Sequence, residues 1–174
     1  MVQKAAKEIA DNLENHDKTI RSQLQSPLTP NIKAIYRNTT KAPAEFLSHP
    51  NFTATTGDVS DRSTLDFTNS DLVFYIPPPT YDGTDQGEWA TRTENNVKDA
   101  LNEAGSTIKR LVLFSAIGAQ YDRDIGILRL NHITDEILKD VVADVVIVRP
   151  GYFQEAFASM VEEAIGSEPS VVHP

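Results

Sequence analysis

The stretch Arg110-Leu-Val-Leu-Phe-Ser-Ala-Ile-Gly118 decides the fold class of this chain, together with its counterpart Asp144-Val-Val-Ile-Val-Arg-Pro-Gly-Tyr-Phe153. Each stretch is a continuous apolar run that ends in small or polar residues. Such runs are typical of strands that are covered on both faces, as in parallel sheets. In open parallel sheets, ligands bind just beyond the carboxyl ends of the strands. We therefore expect functional residues directly after each run, from Ser115 and from Arg149 onward.

The rest of the chain alternates predicted strands with predicted helices. Strands are predicted over residues 31–37, 52–56 and 71–76, in addition to the two stretches above. Helices are predicted over residues 1–27, 40–47, 60–65, 86–104 and 128–142, with a last helix from Phe153. Strands that alternate with longer helices indicate βαβ units with right-handed crossovers. The pattern therefore predicts an α/β fold in which helices flank a parallel sheet.

Composition and charge limit the classes of function. The 174 residues have an ordinary hydrophobic content of 40%, and the net charge of −9 argues against nucleic acid or an anionic membrane surface as the main partner. The absence of cysteine excludes thiolate nucleophiles, disulfides and cysteine-ligated zinc. The scattered histidines lack the paired spacing of metal ligands, so no metal site is expected. With no apolar run of roughly 18–20 residues and no apolar signal core, we expect a cytoplasmic protein.

Five short motifs occur in a characteristic order along the chain. They are Ala34-Ile-Tyr-Arg-Asn38, Gly57-Asp58-Val59, Asn96-Val-Lys-Asp-Ala-Leu-Asn-Glu-Ala-Gly105, Leu113-Phe-Ser-Ala-Ile-Gly118 and Val148-Arg-Pro-Gly-Tyr-Phe153. Their order and spacing resemble those of the NmrA-like family of atypical short-chain dehydrogenase/reductases. The resemblance implies a three-layer Rossmann-like NAD(P)-binding domain over residues 31–174, after an atypical helical segment over residues 1–30, and a preference for NADP. Some members of the family are reductases, and others sense the redox state of the cofactor without catalysis.

The chain departs from the family at both ends. The family begins with a strand and a G-x-x-G-x-x-G loop that holds the pyrophosphate, whereas residues 1–30 contain no glycine. Most of the family's substrate domain is also absent. Because the missing first strand belongs in the middle of the sheet, the strands 31–37 and 71–76 either pair directly or leave a gap. We therefore expect an incomplete fold of marginal stability, or a protein partner or second chain that completes the sheet.

Four residues at or just beyond the ends of the first two predicted strands are candidates for binding the adenosine half of NADP. Arg37 ends a strand at the point where NAD-specific enzymes carry an acidic residue; an arginine there, followed by Asn38, favours a 2′-phosphate. By resemblance, Asp58 and Val59 meet the adenine ring. The alternatives are a surface arginine after a strand, and a turn whose aspartate caps a helix.

Four further candidates belong to the ribose and nicotinamide end of the cofactor. By resemblance, Ile76 and Pro77 pass the ribose; the alternative is a proline-rich turn. Ser115 occupies the position of the family's serine near the nicotinamide, and His132 falls at the lysine of the reductase set. A histidine can donate a proton or hold a ribose hydroxyl near neutral pH. The alternative for Ser115 is a hydroxyl that only hydrogen-bonds to the backbone at the end of the strand. The alternative for His132 is a capped or partly exposed histidine on a helix.

The turn after the last strand supplies the remaining candidates. By resemblance, Pro150 would fix the exit of the chain, and Tyr152 and Phe153 would place aromatic rings beside the nicotinamide; the alternative is a strand-to-helix turn whose aromatic rings pack into the core. The sequence thus predicts an NADP-dependent oxidoreductase-like protein that transfers hydride to or from a small organic substrate, with His132 and Ser115 as catalytic candidates. Two alternatives stay open. The absence of the Tyr-x-x-x-Lys signature favours a non-catalytic regulatory or redox-sensing module, and the absence of the glycine loop suggests an inactive truncated remnant.

Overall fold

The computed structural model describes residues 16–151 of the chain. Residues 16–24 are helical and are called α1 here. The elements that follow are β1 (Ile32–Tyr36), α2 (Ala44–Leu47), β2 (Phe52–Thr56), β3 (Leu72–Tyr75), α3 (Gln86–Ala104), β4 (Arg110–Phe114), α4 (Arg129–Leu138) and β5 (Val145–Val148). Short 3-10 turns lie between them at Thr39–Lys41, Arg62–Thr64, Gly105–Thr107 and Gly126–Leu128. The predicted order of strands and helices is confirmed over this range.

The strands form two parallel sheets. β1 pairs with β2, with Ile32 opposite Phe52, and β3, β4 and β5 follow one another in a second sheet, with Leu111 opposite Val145. Helices flank these sheets, which confirms the predicted α/β class. Among the described residues, β1 pairs only with β2, and β3 pairs only with β4. Of the two arrangements expected from the sequence, the structure therefore has the divided sheet, and direct pairing of strands 31–37 and 71–76 is wrong.

The larger sheet is packed on one face. Its inward residues Val73, Tyr75, Leu111 and Leu113 form one buried cluster with residues of α3 and α4. Successive side chains of a strand point to opposite faces, so the residues between them lie on the other face. There, Leu72 is 54% exposed and Phe74 is 37% exposed, and Val146 and Val148 are exposed in the same way.

The smaller sheet has its own core. Ile20 of α1 is buried with Phe46 of α2 and with Ala34 and Phe52 of the two strands. The rings of Phe46 and Phe52 lie 5.5 Å apart, a distance at which aromatic pairs attract. The predicted helix over residues 1–27 is confirmed for residues 16–24, and its amphipathic face covers this sheet, but the helix ends at Leu24 because residues 25–28 form a turn. Residues 1–15 lie outside the described residues.

Three further predicted helices are also shorter in the structure. The predicted helix 40–47 is wrong as a continuous element, because Ala42 precedes Pro43 and is held extended at ψ 134°. The predicted helix 60–65 is only the 3-10 turn Arg62–Thr64, which Asp61 caps. α4 ends at Leu138 rather than near residue 142, because Val141 and Val142 leave the helix to pack against the larger core.

Candidate functional site

The end of β1 presents Arg37 and Asn38, which are both exposed. The side-chain oxygen of Asn38 accepts hydrogen bonds from the backbone N–H of Thr40 at 3.0 Å and from its hydroxyl at 2.8 Å. It therefore caps the 3-10 turn that follows. The amide nitrogen of Asn38 and the guanidinium of Arg37 are the donors that this strand end offers to a ligand.

The end of β2 places Asp58 near Arg37. Burial alone would raise the pKa of Asp58, but hydrogen bonds from Ser60 and the nearby positive charge of Arg37 outweigh burial and lower it. Asp58 accepts from the backbone N–H of Ser60 at 2.8 Å and from its hydroxyl at 2.7 Å. These are the contacts of an aspartate that shapes a turn. Val59 is held against α3, since its carbonyl accepts from Asn96 at 2.8 Å.

Gly57 permits the close packing behind Asp58. A Cβ atom at this position would lie 2.7 Å from the side chain of Ile35 and 2.8 Å from the carbonyl oxygen of Thr64. Real Cβ contacts are not this short, so a larger residue would push the turn away from β1. The glycine therefore keeps Asp58 beside the end of β1.

The turn after β3 is fixed against α3. Ile76 is half-buried and Pro77 is buried. The carbonyl of Pro78 accepts a hydrogen bond from the indole N–H of Trp89 at 2.7 Å. This contact makes Trp89, the single tryptophan of the chain, a neighbour of the candidate site.

A buried polar cluster joins the ends of β4 and β5 to α4. The hydroxyl of Ser115 donates to one carboxylate oxygen of Asp135 at 2.9 Å. Arg149 donates to the same oxygen from Nε at 3.1 Å and from Nη2 at 2.9 Å. The Asp135 side chain is only 3% exposed, and its other oxygen has no hydrogen-bond partner among the described residues. Burial raises the pKa of Asp135, and the bonds from Arg149 and Ser115 oppose that rise.

His132 lies on the same helix, three residues before Asp135. Its Nδ1 is 2.9 Å from the carbonyl oxygen of Ala119, in the loop that follows β4. Residues three apart on a helix share a face, so His132 and Asp135 approach the end of β4 together. A positive charge on His132, when it is present, favours the ionised form of Asp135.

The loops after β4 and β5 are tied to each other. The N–H of Ile117 donates to the carbonyl of Pro150 at 3.0 Å, and the N–H of Ser115 donates to that of Val148 at 2.8 Å. Pro150 is half-buried at this junction. The predicted site residues Tyr152 and Phe153 lie outside the described residues.

The structure therefore brings the predicted residues into two groups. Arg37, Asn38, Asp58 and Val59 lie at the carboxyl ends of the smaller sheet. Ser115, His132 and Pro150 lie at the carboxyl ends of the larger sheet, where Ile76 and Pro77 also follow β3. Sequence reasoning missed Asp135. A signal was available, because an acid three residues after His132 must share its helix face.

A second buried acid, also missed from the sequence, lies between the larger sheet and its helices. The hydroxyl of Tyr75 donates to one oxygen of Glu94 at 2.9 Å, and the other oxygen has no partner within the described part of the chain. Burial raises the pKa of Glu94 to about 8, against the opposing effect of the hydrogen bond from Tyr75. The pKa of Tyr75 is also raised, by its own burial and by Glu94. Glu94 is therefore a carboxyl that the fold keeps protonated near neutral pH.

Residues 16–151 contain neither a cluster of metal ligands nor a membrane-spanning helix. No three His, Asp or Glu side chains of this range come together as a metal site requires. None of its helices is both long and apolar enough to cross a bilayer.

No protein-family model matches the chain, and a search among curated proteins finds no match. Solved structures do match it. Triphenylmethane reductase of Citrobacter sp. in complex with NADP(H) is 20% identical at a TM-score of 0.60, over 76% of this chain and 46% of the reductase. A nucleoside-diphosphate-sugar epimerase of Staphylococcus aureus is 13% identical at a TM-score of 0.66, over 85% of this chain and 49% of the epimerase.

An NADPH-dependent quinone oxidoreductase of Escherichia coli in complex with NADPH is 20% identical at a TM-score of 0.62. The match covers 83% of this chain and 48% of that enzyme. Identities this low show the fold, which is Rossmann-like and present here in part. The chain spans less than half the length of each of these structures.

Proposed function

We propose that this chain is an NADP-dependent oxidoreductase-like protein of the NmrA-like family, which moves hydride between the cofactor and a small organic substrate. One observation carries the proposal. Within a Rossmann-like fold, a cation follows β1 and a hydroxyl–imidazole pair follows β4, both at the strand ends where such folds bind ligands. The solved structures of similar fold that contain NADP(H) or NADPH support the same cofactor class.

The adenosine end of the cofactor would be held at the smaller sheet. Arg37 would bind the 2′-phosphate, since a guanidinium binds phosphate oxygens through two parallel hydrogen bonds. Asn38 would add an amide donor, and Asp58 and Val59 would lie beside the adenine. The described residues contain no glycine-rich strand–loop for the pyrophosphate, so the residues present fit the two ends of NADP better than its middle.

The reacting end would be held at the larger sheet. When bound, the nicotinamide would supply the hydride chemistry, and the protein would orient it. Ser115 and His132 would hold polar groups of the ligand, and His132 would move a proton at its Nε2 atom. Ile76, Pro77 and Pro150 would form the apolar wall that limits the access of water, with Tyr152 and Phe153 proposed to join them.

Titration with NADPH tests the proposal, with energy transfer from Trp89 as the signal. We expect binding in the micromolar range, weakened about tenfold or more by Arg37→Ala, because a charge-assisted phosphate contact is lost. Arg110→Ala is the matched control, since Arg110 lies at the amino end of β4, away from the carboxyl strand ends of the proposed site, and pairs with Asp144 there. Absence of binding at millimolar NADPH, or equal weakening by both variants, would refute the proposed cofactor site.

A second candidate function is a non-catalytic NADPH-binding module that responds to redox state through a protein partner. The missing Tyr-x-x-x-Lys signature favours it. NADPH binding without substrate-dependent oxidation would support the module, whereas oxidation that is lost in His132→Ala would support the enzyme. If the chain neither binds NADPH nor oxidises it, the result would support the third candidate, an inactive truncated remnant. All three candidates are compatible with the proposed cytoplasmic location.

The divided sheet supports a further element of the proposal, a protein partner or second chain that completes it. One edge of β1 and one edge of β3 have no strand partner among the described residues, and one face of the larger sheet exposes apolar side chains. We expect a chain that is marginally stable as a monomer, or one that sediments as a complex. A sharp thermal transition above about 55 °C for a monomer would contradict this expectation.

A further inference from the structure

The hydroxyl proton of Ser115 points into the protein rather than toward a ligand. It is donated to a carboxylate oxygen of Asp135 at 2.9 Å, and that side chain is only 3% exposed. A serine hydroxyl has one proton and two lone pairs. With its proton engaged, Ser115 can offer only lone pairs at the end of β4.

Arg149 keeps the accepting oxygen in place. Its Nε and Nη2 atoms donate to the same oxygen of Asp135, at 3.1 Å and 2.9 Å. A guanidinium has no lone pair to offer and never accepts, so this oxygen must be the acceptor for both of its neighbours. The direction of the Ser115 hydrogen bond is therefore fixed by the ion pair behind it.

His132, like Ser115, is left as a hydrogen-bond acceptor. Its Nδ1 lies 2.9 Å from the carbonyl oxygen of Ala119, and a carbonyl oxygen only accepts. Nδ1 therefore carries the proton of the neutral imidazole, which leaves a lone pair on Nε2. The hydroxyl of Ser115, which is 5% exposed, and the neutral imidazole of His132 are therefore both left with acceptor lone pairs only.

We propose that Asp135 is a positioning residue that makes this end of the site a hydrogen-bond acceptor. The site then selects a ligand group that carries donors, such as the hydroxyls and primary amide of the nicotinamide half of NADPH, over one that offers a bare carbonyl. This inference rests on the proposed NADP function and assigns the polarity of its reacting end.

The test compares NADPH with adenosine 2′,5′-bisphosphate, which keeps the 2′-phosphate but lacks the nicotinamide half. In Asp135→Ala the Ser115 proton is released, and we expect the affinity for NADPH to fall about tenfold while that for the bisphosphate is unchanged. In Asp135→Asn the amide oxygen can still accept from both Ser115 and Arg149, so NADPH affinity should be retained within about twofold. Both variants lose the ion pair and are less stable, so a role in stability alone would weaken both.

Two further variants complete the test. Glu136→Gln removes an exposed carboxylate from the same helix, one that pairs with Lys139, and should change neither affinity. Ser115→Ala keeps the Asp135–Arg149 pair and serves if Asp135→Ala does not fold; it should weaken NADPH about tenfold and spare the bisphosphate. Any one of three results would overturn this inference and leave the proposed function standing. The affinities for both ligands fall equally, or NADPH affinity falls as much in Asp135→Asn as in Asp135→Ala, or Ser115→Ala keeps full NADPH affinity. Failure of the unchanged chain to bind either ligand would overturn the proposed function and this inference together.

Discussion

Glu94→Gln should make the protein more stable than the unchanged chain at alkaline pH, and it should flatten the pH dependence of the free energy of unfolding. Glu94 is buried beside Tyr75, and burial raises the pKa of its carboxyl from 4.5 to about 8. In the unfolded chain the same carboxyl titrates near its ordinary pKa. Between these two values, the folded state keeps a proton that the unfolded state releases.

The sign of the effect follows from this difference in bound protons. Because the folded state binds more protons, the free energy of unfolding falls as the pH rises from about 4.5 to about 8, and the contribution of Glu94 is lost above that range. Ionising the buried carboxyl should cost on the order of 2–4 kcal/mol by about pH 9. Glutamine keeps the shape and the oxygen that accepts from Tyr75, and it has no charge to bury.

Urea unfolding between about pH 5 and pH 9 measures this effect. Glu88→Gln is the matched control, because it makes the same substitution at an exposed position of α3. We expect Glu94→Gln to equal the unchanged chain at the acidic end and exceed it at the alkaline end, while the control shifts stability little and equally at every pH. A Glu94→Gln curve parallel to that of the unchanged chain would show that Glu94 is not a buried acid.

Arg149→Met should destabilise the protein by about 1–3 kcal/mol, because it leaves the buried carboxylate of Asp135 without the countercharge that the partly exposed Arg149 side chain supplies. One oxygen of Asp135 already lacks a hydrogen-bond partner among the described residues, and the other would keep only the bond from Ser115. The methionine replaces most of the aliphatic stem, so the loss is electrostatic rather than a cavity. Asp135→Asn added to Arg149→Met removes the buried charge and should restore more than half of the lost stability.

An exposed ion pair gives the contrast for this measurement. Lys139→Met breaks a pair in which Lys139 is 46% exposed and Glu136 is 55% exposed, and such pairs contribute about 0–1 kcal/mol. Urea unfolding, or far-UV circular dichroism where Arg149→Met is already unfolded, compares the variants. If Arg149→Met and Lys139→Met lose equal stability, or if the double variant is no more stable than Arg149→Met, Asp135 is not held by its ion pair.

Local sequence signals predict the elements of this fold well where the signals are strong. Asp85 and Gly105 mark both ends of α3. Asp85 accepts from the N–H groups of Gly87 and Glu88, and Gly105 takes the left-handed φ of 64° that ends the helix. Apolar runs likewise place β3, β4 and β5. The end of α4 is missed because packing of Val141 and Val142 against the core overrides helix propensity, a contact that no local pattern encodes.

The polar interior was harder to predict from the sequence. Glu94 shares one helix face with the buried residues Ala90, Val97 and Leu101, which are spaced three or four residues apart. Its burial could therefore have been predicted from the helical periodicity of the sequence. The contact between Asp135 and Arg149 joins a helix to the end of a strand, and its geometry depends on how α4 packs on the sheet. Candidate positions at strand ends can therefore be inferred from one sequence, whereas the hydrogen bonds between them require the tertiary structure.

The open edges of β1 and β3 also bear on how separate molecules meet. Unpaired strand edges offer backbone N–H and C=O groups to any extended segment that comes near. At neutral pH each molecule carries a net charge of −9, and this repulsion keeps like edges apart. Near the isoelectric point of about 4.8 the repulsion vanishes while the edges remain. The negative charge therefore keeps molecules of this protein apart at neutral pH and protects strand edges that are unpaired within residues 16–151.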